Sequence, residues 1–192
     1  MELKSLADEA LMKQISARDV EAFRVLYFRY ELPIFNFLLR CAGNRALAED
    51  LLQETFWRVW QAARTFNPGL GDFHSWLFRV ALNATRSELA LKRHSRETLN
   101  GIIPEEARPF SGGDVRDDNP ACHFERREAE TLVADALAGL SPALREVVAL
   151  RCMEGLKFRE IAAVTGAPAG TLKTRFHRAI AELRRRLAPG EE

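Results

Sequence analysis

With 192 residues and 21.7 kDa, the chain has room for one ordinary domain or two small ones. Its 47% hydrophobic and 29% charged residues exclude a disordered or fibrous protein. The formal charge is +1, from 28 Lys+Arg against 27 Asp+Glu, which excludes a polybasic protein that holds nucleic acid through bulk charge; such a role needs a local basic patch or a complex.

The chain opens with Met1-Glu2-Leu3-Lys4-Ser5-Leu6-Ala7-Asp8-Glu9, which has acids where a secretory signal has bases before an apolar run. No stretch approaches the roughly 18 to 20 consecutive apolar residues of a membrane helix, so a cytoplasmic chain without membrane insertion is expected. From Phe23-Val25-Leu26 onward, apolar residues recur at three and four rather than alternating as in a strand. This pattern predicts helices near 6–16, 20–42, 44–65 and 73–93, with breaks at Gly43 and at Asn67-Pro68-Gly69-Leu70-Gly71-Asp72. Pro33 is expected to kink or divide the second helix.

In the third helix, Leu51, Leu52, Phe56 and Val59 form a buried side, and Asp50, Gln53, Glu54 and Arg58 share the other. That polar side reads as plain solvated charge, as a protein-docking face, or as carboxylates for a metal. Helical metal sites usually add a histidine at matching spacing, which this helix lacks, and docking ranks first. In the fourth helix, Trp76, Leu77 and Val80 are expected in the core.

The periodicity stops near His94. Residues 94–124 hold three of the eight prolines, three of the eleven glycines and a net charge of −3, the composition of a mobile linker. Helical pattern resumes at Glu125-Arg126-Arg127-Glu128 and runs to Leu187. At Leu140-Ser141-Pro142 it restarts, with Ser141 placed to cap and Pro142 suited to the first turn; Gly155 and Gly166 end the helices before them. The fold class is all-α, with two small helical domains, 1–93 and 125–192, on either side of the linker.

Residues 158–187 carry the strongest motif. Phe158 to Thr165 is a two-turn helix, Gly166-Ala167-Pro168 a tight break, and a longer helix follows with Leu172, Phe176, Ala179 or Ile180, Leu183 and Leu187 on one stripe. Small Ala162 and Ala163 let two helices cross closely, as a helix-turn-helix requires. The second helix exposes Lys173, Thr174, Arg175, His177 and Arg178 near its start, the end that enters the major groove. From Lys173 to Arg186 there are six bases against one acid, so the local patch exists. Base-reading and phosphate-gripping roles are not separable at this level.

Cys41, Cys122 and Cys152 are too far apart for a zinc or disulfide framework and read as buried or incidental thiols. Cys122 beside His123 in the linker raises the alternative of redox or metal sensing.

Two stretches together, Ala48-Glu49-Asp50-Leu51-Leu52-Gln53-Glu54-Thr55-Phe56 and Gly170-Thr171-Leu172-Lys173-Thr174-Arg175-Phe176-His177-Arg178-Ala179, resemble the sigma-70 family of RNA polymerase sigma factors, in its short extracytoplasmic-function subgroup. Phe23 to Leu91 is similar to that family's region two and Glu128 to Leu187 to its region four. The resemblance implies an initiation factor rather than an enzyme, without cofactor, metal or catalytic residues. Its partners would be the largest and second-largest catalytic subunits of core RNA polymerase, double-stranded promoter DNA, the melted −10 strand and an anti-sigma factor. It implies core binding by Asp50, Gln53, Glu54, Trp57 and Arg58, and −10 recognition by the loop Phe66 to Asp72 with His74, Asn83 and Arg86. Aromatics near this element serve flipped bases or simply pack. Ser87-Glu88-Leu89-Ala90 departs from relatives that carry an acid and then a basic cluster there. The −35 element would fall to Lys173, Thr174, Arg175, His177 and Arg178. The resemblance further implies a stress response, with sequestration at the inner membrane if the anti-sigma factor is membrane-bound. Two rivals are a dimeric repressor and a helical metalloenzyme built on Glu49, Asp50, Glu54 and His74.

Overall fold

The computed structural model describes residues 3–98 and 131–188, and among these no strand occurs. Four helices build the N-terminal half: α1 (Asp8–Ser16), α2 (Val20–Ala42), α3 (Arg45–Ala62) and α4 (Phe73–Thr98). Local chemistry sets their ends. Asp19 accepts from the backbone N–H of Glu21 and Ala22 at 2.9 and 3.0 Å to start α2. Gly43, at φ 70°, ends it by donating to the Leu39 carbonyl at 2.8 Å, and Asn44 then caps α3 through the Leu47 N–H at 3.0 Å. Pro33 does not divide α2, which runs unbroken through it. A proline costs the helix one hydrogen bond, and Ile34, Phe37 and Leu38, all fully buried on the following turns, hold the segment in place.

The core of this half packs Leu26, Ile34 and Phe37 of α2 against Leu51, Phe56 and Val59 of α3 and Phe73, Leu77 and Phe78 of α4. The expected buried side of α3 is therefore observed. On α4, Leu77 is buried as expected, whereas Trp76 and Val80 are half-buried. The helix also outlasts its apolar pattern by four residues, ending at Thr98 rather than near His94.

The C-terminal half begins within α5 (described over 131–138) and continues through α6 (Pro142–Val148), a π-type turn (Ala149–Met153), α7 (Phe158–Thr165) and α8 (Ala169–Leu187). Ser141 occupies the N-cap position of α6, but its side chain makes no capping bond; its carbonyl accepts from Leu144 and Arg145 at 3.0 Å each. Gly155 and Gly166 take φ of 68° and 76°, and Gly166 closes α7 on the Ala162 carbonyl at 2.9 Å. Leu172, Ala179 and Leu183 form the buried stripe of α8, from which Leu187, 40% exposed, is excluded. Ala162 packs into the core, but Ala163 is exposed and faces the loop before α4 instead of the α7–α8 crossing.

The two halves dock. One apolar cluster joins Phe78 and Leu82 of α4 with Val147, Leu150, Ile161, Val164 and Leu172, while a smaller one beneath α8 holds Leu137, Leu140, Leu144 and Leu183. The linker between the halves, with Cys122 and His123, lies outside the described residues apart from the end of α4. Cys41 is buried and Cys152 exposed, both as thiols.

Candidate functional site

The α3 candidates share one surface. Asp50, Gln53, Glu54 and Trp57 stand at i, i+3, i+4 and i+7, which a period of 3.6 places on one side of a helix. Asp50 and Gln53 are exposed, Glu54 is half-buried, and Trp57 leaves 57% of its surface in solvent. Arg58 flanks them and donates from Nε to Glu54 at 2.6 Å. Tryptophan is among the residues enriched at protein contacts, whereas carboxylates are common on any solvated helix face.

The α4 candidates do not share one surface. His74 and Asn83 are nine residues apart, about two and a half turns, so they point to opposite sides. His74 is half-buried between Phe78, with rings 4.7 Å apart, and Tyr30 at 6.1 Å. Burial holds its imidazole below the usual histidine range, against the opposing pull of Asp72, Asp8 and Glu160. Asn83 is exposed. Arg86 is half-buried and bound to Glu146 across the chain. Arg79, absent from the sequence-based set, is exposed and stands four residues before Asn83 and seven before Arg86, a spacing the sequence already displayed.

The loop before α4 forms a small cleft of about 70 Å³, lined by Phe66, Asn67, Leu70, Asp72, Trp76 and Arg79, with Ala163 as its far wall. Asn67 folds the loop by accepting from the Gly69 N–H at 2.9 Å, and Pro68–Leu70 forms a single 3₁₀ turn. Asp72 then starts α4, accepting from Ser75 N at 2.7 Å and Ser75 Oγ at 3.1 Å. Burial pushes the Asp72 carboxyl up, but these bonds and nearby His74 outweigh it and hold it below the usual range. Leu70 at the tip is 86% exposed, and Trp76 packs edge-on against Phe66 with centroids 5.3 Å apart. The cleft thus offers an aromatic wall, a cation and hydrogen-bonding groups, the needs of an unstacked base. Trp76, expected in the core, packs against it and also lines this cleft.

In the other half, Lys173, Thr174, His177 and Arg178 are exposed at the start of α8, with Arg175 half-buried beside them. Thr174 returns its hydroxyl to the Gly170 carbonyl at 3.2 Å, and Arg178 lies 3.3 Å from Glu182. Gly166 sets the sharp turn that leaves this basic end projecting, the arrangement with which a recognition helix enters a major groove. Among the described residues no group of His, Cys, Asp and Glu is placed to hold a metal ion.

Comparison with known proteins decides the family. Residues 26–97 match sigma-70 region 2 and residues 131–183 match sigma-70 region 4. The chain is 30% identical over 184 residues to the RNA polymerase sigma-H factor of Pseudomonas aeruginosa, covering 95% of this chain and 94% of that one. It is a sigma factor of the sigma-70 family, in the extracytoplasmic-function subgroup. The ECF RNA polymerase sigma-E factor of Haemophilus influenzae is 29% identical over 188 residues, 97% of this chain and 98% of its own. Among solved structures, CnrH in complex with the cytosolic domain of CnrY aligns with TM-score 0.65 at 25% identity, over 93% and 95% of the two chains. The sigma factor RpoE in complex with the anti-sigma factor NepR from Bartonella quintana aligns with TM-score 0.73 at 23% identity, over 88% and 98%. As a sigma factor, this protein binds core RNA polymerase and directs it to promoters. No helix among the described residues is long and apolar enough to cross a membrane.

Proposed function

We propose that the protein works as a two-module initiation factor in the cytoplasm and catalyses no reaction itself. The N-terminal module, 1–93 with the rest of α4, binds polymerase and opens DNA; the module at 125–192 reads duplex. The exposed stripe Asp50, Gln53, Glu54 and Trp57, flanked by Arg58, docks on the polymerase. The cleft before α4 receives a base of the melted −10 strand, Asn83 and Arg86 contact its backbone, and His74 supports the helix start from beneath. Lys173, Thr174, Arg175, His177 and Arg178 contact the −35 duplex. Binding energy drives strand opening. An anti-sigma factor restrains the chain, at the inner membrane if that partner is membrane-bound; the complexes of CnrH and RpoE motivate this part of the reading.

The observation that carries the proposal is the pairing, on one chain, of an acidic face with an exposed tryptophan and a basic recognition-helix start. Run-off transcription with purified core polymerase on a library of upstream fragments tests it. New start sites are expected with the wild-type chain. Asp50→Ala should lose them with loss of polymerase binding, and Arg175→Ala with polymerase binding intact. A chain that neither binds core polymerase nor creates new starts would overturn the reading.

A further inference from the structure

The two halves meet through a built polar contact over their shared apolar cluster. Arg86 uses all three guanidinium nitrogens: Nε and Nη2 donate to the two carboxylate oxygens of Glu146 at 3.2 and 2.7 Å, and Nη1 donates to the Thr165 carbonyl at 3.1 Å. Glu146 is buried, at 9% exposure. The neighbouring Arg145 reaches the other way, donating from Nη1 to the Cys41 carbonyl at 3.3 Å. There it meets the C-terminal end of α2, where outward-facing carbonyls attract a cation. One turn of α6 therefore grips α4 through an anion and α2 through a cation.

We propose that Glu146 is an intramolecular stand-in for a DNA phosphate. It binds the guanidinium of Arg86 in the two-point geometry a phosphate would use, and so keeps the isolated chain closed with its strand-binding surface incomplete. The inference rests on the reading that Arg86 contacts the −10 strand.

Two further observations support it. First, α7 lies along the part of α4 that the proposal assigns to DNA. The charge of Glu160 reaches His74 at one end, Ala163 walls the cleft midway, and Thr165 holds Arg86 at the other end. Second, helices packed in this way have axes roughly 8–10 Å apart. Promoter elements separated by more than two turns of DNA lie upwards of about 70 Å apart, at roughly 34–36 Å per turn. The closed form therefore serves one element at a time, and reading both requires α7 to leave α4. A half-buried arginine is stable mainly while paired, so the closed form depends on Glu146 beyond what the apolar cluster supplies.

The test uses the full chain with spin labels on Glu9→Cys and Ala181→Cys, both at exposed positions. Cys122→Ser and Cys152→Ser remove two native thiols; Cys41 stays, because burial pushes its thiol up to about 12 and hides it from the label. Wild type should give one short distance, and core polymerase with promoter DNA should shift it to a long one. Glu146→Gln, which keeps shape and removes charge, should add the long distance without polymerase at unchanged helicity; Glu146→Asp should restore the short one. Glu146→Gln should also bind a single-stranded −10 oligonucleotide about tenfold more tightly than wild type, as release of a charge-assisted pair allows, and Arg86→Ala should abolish the gain. A Glu146→Gln chain as closed as wild type overturns the latch. An opened Glu146→Gln chain with no gain in oligonucleotide binding upholds the latch and overturns the −10 role of Arg86.

Discussion

Helices α3 and α4 lie side by side in the same bundle, and each carries a set of residues that sequence pattern singles out for function, yet packing treats the two sets differently. On α3 the spacing of Asp50, Gln53, Glu54 and Trp57 matches one helical face, and three of the four, Asp50, Gln53 and Trp57, stay exposed on it after folding. On α4 the set is split. His74 turns inward against Phe78, Asn83 stays in solvent, and Arg86 is bound to Glu146, sixty residues further along. A helix packed only within its own bundle keeps its outer surface legible; a helix also covered by the other half has its surface reassigned.

The largest effect that sharpens this comparison comes from beneath α4. Phe78→Ala removes a fully buried ring from the cluster shared by both halves, and an expected loss of about 3–5 kcal/mol should appear in urea denaturation. Trp57→Ala on the exposed face should leave denaturation nearly unchanged while weakening core-polymerase binding about thirtyfold, the scale of a central aromatic contact, measured by titration calorimetry. Equal losses of stability in the two variants would erase the distinction between the helices.

His74 and Asn83 divide in the same way. His74→Ala should cost about 1–2 kcal/mol of stability through lost packing, whereas Asn83→Ala should leave stability within about 0.5 kcal/mol. Asn83→Ala should instead slow promoter opening, read by permanganate reactivity of unpaired thymines. The reverse pattern would exchange their roles.

Glu154 adds a pH dependence at the junction. Burial pushes its carboxyl from 4.5 up to about 7, with Arg40 opposing. The folded state therefore holds a proton that the unfolded chain has released, so this contribution is present below about pH 4.5 and lost as pH rises through about 7. Glu154→Gln should flatten the decline in melting temperature between pH 5 and pH 8, and an unchanged slope would assign that decline elsewhere. The smallest effect is expected for Arg58→Ala. Its pair with Glu54 is half-exposed on the helix surface, and such i,i+4 pairs contribute less than about 1 kcal/mol to stability, so any larger consequence should appear only in polymerase binding.

Much of the fold was legible because its signals are local. Gly43 and Gly166 act on backbone groups within four residues, so the ends of α2 and α7 follow from composition at each point, whereas the caps by Asp19 and Asn44 emerged only in the structure. The buried sides of α3 and α8 follow equally from spacing, down to Leu172 and Leu183. Pro33 was expected to kink or divide α2 and does not divide it, and Ser141 takes the expected N-cap position without a side-chain bond. Buried neighbours carry α2 through the proline, and the backbone of Ser141, not its hydroxyl, serves α6. Trp76 packs against the core as expected but also lines the cleft, a second role that only the neighbouring loop reveals.

The sequence by itself determined an all-helical chain, the stripe on α3 and the basic start of α8, since periodicity and capping act over one to three turns. Tertiary structure alone decided that α7 covers α4, that Ala163 walls the cleft and that Arg86 is held by Glu146. Those contacts join surfaces sixty or more residues apart. Their selection depends on which apolar faces find each other in the folded chain, and no short-range pattern records that choice.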